Sequence, residues 1–383
     1  MFRITSFLIA LFAVASCLRS SITGVGPLLG AIRADLGLSA TTAGVLSSLP
    51  LLMFAIGAPA SRLARNHGTE RLLLGALCVL LAGILLRSEG HLAALFGGTV
   101  ILACGVAVAN ILLPVLVKQH FPDRVATITT AYATIMGVSA TLGSAFGAPL
   151  ANWLPGGWRA SLVFWAVPAV IALLLWIPHT RHDLHVTPAS SEPPPKLPWR
   201  SLIAWQVTGY MGLQSLLFYV TVAWYPTMLR DGGFSVEAIA GLLTVYQASA
   251  LAGGLLVPSL VRRGSDQRVL AASIGALSTF ASLGVLLLPQ AMWLWMVLLG
   301  IGTGPALILA LSFMGLRAAS PRSAAALSLM AQSLGYLLAA AGPVSFGFLH
   351  DTVGGWSASI LFTTLCAAAL AVCGYGAGRN IRA

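Results

Sequence analysis

The residue with the clearest capacity for chemistry is Arg19, which lies near the middle of an otherwise apolar or small stretch, residues 4–32 of the 383-residue sequence. An arginine near the centre of a bilayer costs about 3 kcal/mol on insertion scales, so a membrane protein retains one there where its charge is used. We therefore expect Arg19 to bind an anion or a polarised substrate. The alternative is a structural arginine that donates to the backbone carbonyls of a broken helix.

The residues around Arg19 define a helix face. Ser16, Arg19, Thr23, Gly26 and Pro27 follow one another at spacings of three and four, which places them on one side of an α-helix. This small, polar face is predicted to line a substrate cavity.

Other polar side chains at mid-span depth are few, and each has two possible roles. They can contact a substrate, or they can form interhelical hydrogen bonds worth roughly 0.6 to 2 kcal/mol each. They are Asn110, Tyr132, Gln206, Tyr210, Gln214, Tyr219, Tyr246, Gln247, Gln332 and Tyr336. Taken one at a time, the residues leave both roles open.

Carboxylates and histidines are absent from the middle of the apolar stretches. All ten carboxylates and all seven histidines lie in loops or at the ends of these stretches. The sequence therefore lacks a mid-membrane proton relay and a counter-charge for cationic substrates. A transported proton would travel on the substrate, on hydrogen bonds linked to Arg19, or through end-of-helix acids such as Asp35 or Glu237.

Catalytic and metal-binding patterns are also missing from the sequence. No nucleophile and base pair lies in the apolar stretches, and the five cysteines lie in them without metal-ligand spacing. We expect neither an enzyme nor a cofactor. His179, His182 and His185 belong to a polar, proline-rich segment and indicate a solvated linker rather than a metal site.

The elements that carry these residues are membrane-spanning helices. Hydrophobic residues make up 58% of the sequence and charged residues 8%, far fewer charges than soluble domains contain. Apolar runs of spanning length recur twelve times. They cover residues 4–32, 42–61, 70–87, 92–116, 126–152, 159–177, 202–229, 236–260, 269–288, 292–316, 323–348 and 357–377.

The distribution of the basic residues explains the net charge of +11. With both termini in the cytoplasm, 16 of the 21 lysines and arginines fall on the cytoplasmic side and Arg33, Arg87, Arg159 and Arg230 on the outer side. This asymmetry follows the positive-inside rule. We therefore expect a multi-pass protein of the cell inner membrane, in contact with the lipid bilayer and with no nucleic-acid partner.

The two halves of the sequence repeat each other. Residues 37–39 are echoed by 233–235, and the Gly-Gly-Trp of residues 156–158 by 354–356. Lys118 and Pro122 correspond in the same way to Arg317 and Pro321. The repeat predicts an N-terminal six-helix bundle over residues 1–177, a cytoplasmic linker over 178–200 and a C-terminal six-helix bundle over 201–383.

Several short motifs stand out along the sequence: residues 18–19, 23–29 (TGVGPLL), 32–33, 110–114 (NILLP) and 331–340 (AQSLGYLLAA). Together they resemble the cyanate permease and nitroimidazole exporter family of the major facilitator superfamily. Residues 199–201, 204–208 and 315–318 are closer to the nitroimidazole-exporter branch. The resemblance implies an all-α integral membrane fold of twelve transmembrane helices in two six-helix pseudo-repeats.

The resemblance also implies a substrate site near the midplane, to which helices one, four, seven and ten contribute most. It favours Asn110, Gln214, Gln247 and Gln332 as partners of Arg19. The full predicted substrate-binding set is Arg19, Thr23, Asn110, Tyr132, Gln214, Tyr219, Tyr246, Gln247, Gln332 and Tyr336.

In the superfamily, the loop after span two carries the residues that lock a closed gate. The corresponding basic residues here are Arg62, Arg65 and Arg71, with Arg65 at the position expected for an aspartate. We predict a gating role for them, and topology-setting charge is the alternative.

The expected function is alternating-access transport of a small anionic or acceptor-rich compound, such as a cyanate-like anion, an organic acid or a nitroimidazole-type heterocycle. Protons are the candidate coupling ion, and a monomer is expected. A drug-efflux antiporter of broader specificity and a non-transporting membrane receptor are the alternatives.

Overall fold

The computed structural model describes residues 2–57, 68–182 and 197–381. Within these ranges, the regular secondary structure is helical and comprises four short 3-10 helices and fourteen α-helices. They are α1 Phe2–Thr23, α2 Leu29–Leu36, α3 Ala40–Ile56, α4 Thr69–Arg87, α5 Leu92–His120, α6 Val125–Trp153, α7 Trp158–Phe164, α8 Ala166–Trp176, α9 Leu202–Asp231, α10 Val236–Val261, α11 Arg268–Leu287, α12 Met292–Leu316, α13 Pro321–Val353 and α14 Ser357–Ala377.

Two of the predicted spans are interrupted helices. A 3-10 turn, Gly26–Leu28, separates α1 from α2, because Pro27 has no backbone N–H to donate to the preceding turn. Trp165 separates α7 from α8. When each interrupted pair is counted once, the described residues form twelve helical segments at the predicted positions, which confirms that prediction.

Most of these segments have the length and apolar composition of a membrane span. In the part of the chain that the structure describes, ten helical segments meet both criteria. The other two are α3, which has 17 residues, and α9, which has 30 residues but carries more polar side chains. The chain is thus a multi-pass membrane protein.

The repeated Gly-Gly-Trp motif ends one helix and begins the next in both halves. Gly156 and Gly157 have φ angles of 113° and 62°, and Gly354 and Gly355 have φ angles of 74° and 93°. These left-handed conformations are open to glycine and strained for other residues. The motif therefore marks the same tight turn before α7 and before α14.

The chain divides into two compact units by its contacts. Unit 1 comprises residues 1–36 and 56–193, and unit 2 comprises residues 37–55 and 194–383. In unit 1, α4 packs on α5 and α1 packs on α6 and α8. In unit 2, α9 packs on α13 and α14, α10 on α12, and α11 on α14.

Helix α3 belongs to unit 2, although the helices that follow it in the sequence, α4 to α8, belong to unit 1. Gly44 lies against the backbone of Pro343, and Gly347 lies against the backbone of Ala40. Ser48 Oγ donates a 2.5 Å hydrogen bond to the Ala340 carbonyl. Close approach of α3 to α13 thus depends on two glycines that leave room for the opposing backbone.

The repeat is visible in one hydrogen bond within each unit. Trp158 Nε1 donates to Asp35 at 3.2 Å in unit 1, and Trp356 Nε1 donates to Asp231 at 3.0 Å in unit 2. Asp35 also pairs with Arg159 at 2.8 Å. In both units, therefore, a hydrogen bond from a tryptophan indole to an aspartate carboxylate connects the end of one span to the start of another.

Candidate functional site

Arg19 lies on α1 and is half-buried. It is the fifth residue from the C-terminal end of α1 and lies one turn before Thr23, the last residue of that helix. The break at Pro27 follows. Its intermediate exposure contrasts with the complete burial of Leu18, its neighbour on the same helix.

Thr23 connects α1 to α6. Its hydroxyl lies 2.9 Å from the Ala140 carbonyl and 3.1 Å from the Arg19 carbonyl, and the residue is 2% exposed. Ser139 of α6 donates a hydrogen bond to the Ser16 carbonyl of α1 in the same helix–helix contact. The small residues of the predicted face thus serve close packing between α1 and α6, and Thr23 supports the helix that carries Arg19.

Two more predicted residues of unit 1, Asn110 on α5 and Tyr132 on α6, are half-buried. Among the predicted gating residues, Arg71 is exposed near the start of α4. Arg62 and Arg65 lie outside the described residues.

In unit 2, the structure brings three of the predicted aromatic and amide residues into one buried region of α9 and α10. Tyr219 contacts Phe218 at a ring distance of 5.3 Å, and Phe218 lies 6.1 Å from the Tyr246 ring. The Tyr246 hydroxyl is 2.9 Å from Thr303 Oγ1 on α12. Gln247, the next residue on α10, is also buried.

Gln214 is buried on α9, with its amide nitrogen 2.6 Å from Ser215 Oγ and 3.5 Å from Met211 Sδ. These contacts are local to one helix, so its amide is held in place without joining a second helix.

On α13, Gln332 donates to Ser328 Oγ at 2.8 Å. The Tyr336 ring contacts Phe54 of α3, 5.5 Å between centroids. The helix face predicted from spacing therefore carries a local amide–hydroxyl pair and an aromatic contact to α3.

Sequence reasoning missed the burial of charged groups at helix ends, among them Arg87 and Glu70. Arg87, counted as an outer-side charge, is 1% exposed because Gly98 allows α5 to approach its backbone closely. Its Nε and Nη2 are buried and make no hydrogen bond to the described residues. Glu70, counted as an end-of-helix acid, is also 1% exposed and lies 3.4 Å from His120. Both residues lie at helix ends, where exposure is expected from the sequence. Their burial depends on neighbouring helices that the sequence does not identify.

The described site residues offer a guanidinium, amides, phenols and hydroxyls for non-covalent binding. In the described ranges, no group of three histidine, cysteine, aspartate or glutamate side chains is placed to hold a metal ion. This donor set suits a polar ligand that accepts hydrogen bonds.

Comparisons with known proteins agree with this architecture. Residues 11–343 match the family model of the Major Facilitator Superfamily. The chain is 41% identical to a 2-nitroimidazole transporter of Escherichia coli (strain K12), over 96% of this chain and 94% of the relative. It is 28% identical to the cyanate transport protein CynX of the same organism, over 95% of each chain.

A solved structure supports the fold. A bacterial homologue of the human lysosomal transporter Spinster, in an inward-facing and unoccupied conformation, superposes with a TM-score of 0.79 at 18% identity, over 98% of this chain and 96% of that one.

Proposed function

Because the chain belongs to the major facilitator superfamily and is a membrane transporter, we propose that it carries a small planar compound rich in acceptor atoms by alternating access. The observation that carries this proposal is Arg19, a permanent cation at mid-span that is half-buried on α1. Nitro and carboxylate groups present two oxygens in one plane, which match the planar fork of a guanidinium.

The relatives support this substrate class. One relative is named a 2-nitroimidazole transporter and another a cyanate transport protein. The substrates named for similar proteins thus include a planar heterocycle and a small anion. We assign the ring or the anion to Arg19 and its further polar contacts to Asn110, Gln214, Gln247 and Gln332. A permanent positive charge at this depth disfavours cationic substrates.

We further propose that the chain lies in the inner membrane as a monomer, with both termini in the cytoplasm and protons as the coupling ion. The excess of basic residues in the segments assigned to the cytoplasm supports this orientation.

The test is uptake of 2-nitroimidazole by purified protein in liposomes. The variants are Arg19→Gln and Arg19→Lys, with Arg263→Gln as the control because Arg263 is exposed outside the spans. Loss of charged hydrogen bonds of about 1.5 to 3 kcal/mol lowers uptake by about tenfold to a hundredfold in Arg19→Gln. Arg19→Lys is also impaired, because an ammonium lacks the planar fork, and the control retains uptake.

Three outcomes would contradict the proposal. Wild-type uptake in Arg19→Gln would show that the charge is not used. Carriage of quaternary ammonium dyes with Arg19 dispensable would favour a broader drug antiporter. Ligand-induced thermal stabilisation without flux would favour a receptor.

A further inference from the structure

The hydroxyl of Ser139 on α6 contacts the backbone of α1 at the turn that carries Arg19. It accepts a hydrogen bond from the Ser20 backbone N–H at 3.2 Å and donates one to the Ser16 carbonyl. These two backbone groups are four residues apart, so they occupy the donor and acceptor positions of one hydrogen bond of a regular α-helix. Ser139 therefore contacts both ends of the helical turn that contains Arg19.

The bonding capacity of one hydroxyl matches these two contacts. A serine hydroxyl has one proton to donate and lone pairs that accept, so it can serve the Ser16 carbonyl and the Ser20 N–H at the same time. Ser139 is 5% exposed. A buried hydroxyl without partners is costly, and this cost favours the geometry in which Ser139 bonds to α1.

Two further contacts hold the same stretch of α1 against α6. One turn beyond Arg19, the Thr23 hydroxyl lies 2.9 Å from the Ala140 carbonyl. At Gly143, an added Cβ would lie 2.9 Å from the Ser20 carbonyl oxygen, so a glycine is needed there for the two helices to approach this closely. Backbone and side chain of α1 are thus both fixed to α6 within one turn of Arg19.

The repeat shows that the same helix crossing can form without hydroxyls. At the offset of 196 that relates the two halves, the counterparts of Ser16 and Ser139 are Gly212 and Gly335. In unit 2, an added Cβ at Gly212 would lie 2.9 Å from the Gly335 carbonyl oxygen, so α9 and α13 cross with glycine against glycine. The architecture therefore needs small residues at this crossing but does not need a serine.

The bridging hydroxyl and the mid-span charge occur together. The counterpart of Arg19 at the same offset is Ser215. Unit 1 thus has both the arginine and the bridging serine, whereas unit 2 has neither at the equivalent positions. Because packing of the crossing does not require the serine, its presence beside Arg19 points to a role in holding that residue.

We infer that Ser139 is a positioning residue for substrate binding: its hydroxyl fixes the turn of residues 16–20 to α6 and thereby holds Arg19 in place. The inference deepens the proposed function and rests on it for the role of Arg19. A binding group is effective when supporting hydrogen bonds keep it within about 0.5 Å of the productive geometry. Ser139 supplies such bonds to the backbone of α1, and the substrate contact remains that of Arg19.

The first measurement is hydrogen exchange of the purified protein, which needs no substrate. In Ser139→Ala, the peptide that covers residues 17–23 should exchange about twofold to tenfold faster than in the wild type, as expected for the loss of one hydrogen bond. Alanine is the strongest helix former, so the variant should retain α6. Unchanged exchange in this peptide would overturn the inference, whatever the uptake shows.

Ser161→Ala is the matched control. Ser161 is also buried in unit 1, and its hydroxyl donates to the Gly147 carbonyl of the same helix α6 at 2.7 Å. This bond joins α7 to α6, so its loss should leave exchange of residues 17–23 and uptake at the wild-type level. If Ser161→Ala changes both as much as Ser139→Ala does, the cause is a general loosening of α6 and the inference is wrong.

The second measurement is uptake of 2-nitroimidazole in liposomes by four proteins: the wild type, Ser139→Ala, Arg19→Gln and the double variant. Ser139→Ala should raise the KM of uptake by about twofold to tenfold, with the maximal rate nearly unchanged. In the Arg19→Gln background, the same substitution should change uptake by less than about twofold, because the group that Ser139 positions is gone. Equal losses in both backgrounds would show that Ser139 does not act through Arg19 and would overturn the inference.

The two measurements distinguish failure of this inference from failure of the proposed function. Absence of uptake from the wild type, or wild-type uptake in Arg19→Gln, would refute the proposed function and with it the substrate role assigned through Arg19. Faster exchange in Ser139→Ala would in that case still support the bond from Ser139 to α1, and unchanged exchange would refute it.

Discussion

The prediction that follows most directly from hydrogen-bond geometry concerns Asp351 and the first turn of α3. The Asp351 carboxylate accepts hydrogen bonds from the backbone N–H groups of Ala40 at 3.0 Å and Thr41 at 2.7 Å. It also accepts one from the Thr41 hydroxyl at 2.7 Å. The first N–H groups of a helix have no acceptor within the helix, so these amides depend on a residue of α13.

The size of the effect follows from these bonds. A hydrogen bond to a charged acceptor contributes about 1.5 to 3 kcal/mol, and the lower value applies because the Asp351 side chain is exposed. About 1.5 kcal/mol corresponds to about a tenfold change in an opening equilibrium. Asp351→Ala should therefore speed hydrogen exchange at the amides of Ala40 and Thr41 by about tenfold. Asp351→Asn should release one of the two, since an amide offers a single acceptor oxygen.

The assay is hydrogen exchange followed by mass spectrometry on peptides that cover the start of α3. The repeat supplies an internal control, because Ser235 caps the N-terminus of α10 and accepts from Ala238 N at 3.2 Å. Ser39 accepts from Thr42 N at 3.1 Å in the same way. Exchange at Thr42 and Ala238 should not change in Asp351→Ala. Unchanged exchange at Ala40 and Thr41 would show that the carboxylate does not protect them.

Two further predictions concern packing and a buried hydrogen bond in unit 2. Gly44→Leu should abolish the close contact of α3 with α13 and lower the thermal stability of the purified protein, because any side chain at this position collides with the Pro343 backbone; an unchanged unfolding temperature would contradict this. Tyr246→Phe should cost about 1 to 3 kcal/mol of stability, because it leaves the Thr303 hydroxyl, now 2.9 Å from the phenol, without that partner. Thr303→Val combined with Tyr246→Phe should recover part of this loss, and a double variant that is less stable than the single one would refute the pairing.

The helical architecture could be predicted almost completely from the sequence. Apolar runs in the sequence located the twelve helical segments, ten of which meet the length and composition of a membrane span within the described residues. The placement of α3 in unit 2 could not be predicted, because it depends on glycines at positions 44 and 347 meeting backbone on another helix. Hydropathy treats such glycines as neutral.

One landmark of the predicted repeat has a different environment in each half. Lys118 and Arg317 each stand four residues before a proline, Pro122 and Pro321. Lys118 is exposed, whereas Arg317 is buried. Helix α5 ends two residues before its proline and α12 ends five residues before its proline, so equal spacing in the sequence does not give equal burial.

The side-chain partners of the predicted binding residues were beyond sequence reasoning for a similar reason. Spacing places Ser328, Gln332 and Tyr336 on one helix face, but it does not say which helix faces them. In unit 2 this face carries a bond between the first two and a ring contact from the third to Phe54. The face was predictable and its partners were not.

The repeat separates architectural features from functional ones. The bond between indole and aspartate occurs in both units, so it holds each unit together and needs no further role. Arg19 has no such counterpart: the residues 196 to 198 positions later are Ser215, Leu216 and Leu217, all buried on α9. A charge that two similar bundles needed for packing would be expected in both. Its presence in one unit supports the proposed ligand contact, and we expect Arg19→Gln to lose uptake while it retains folding.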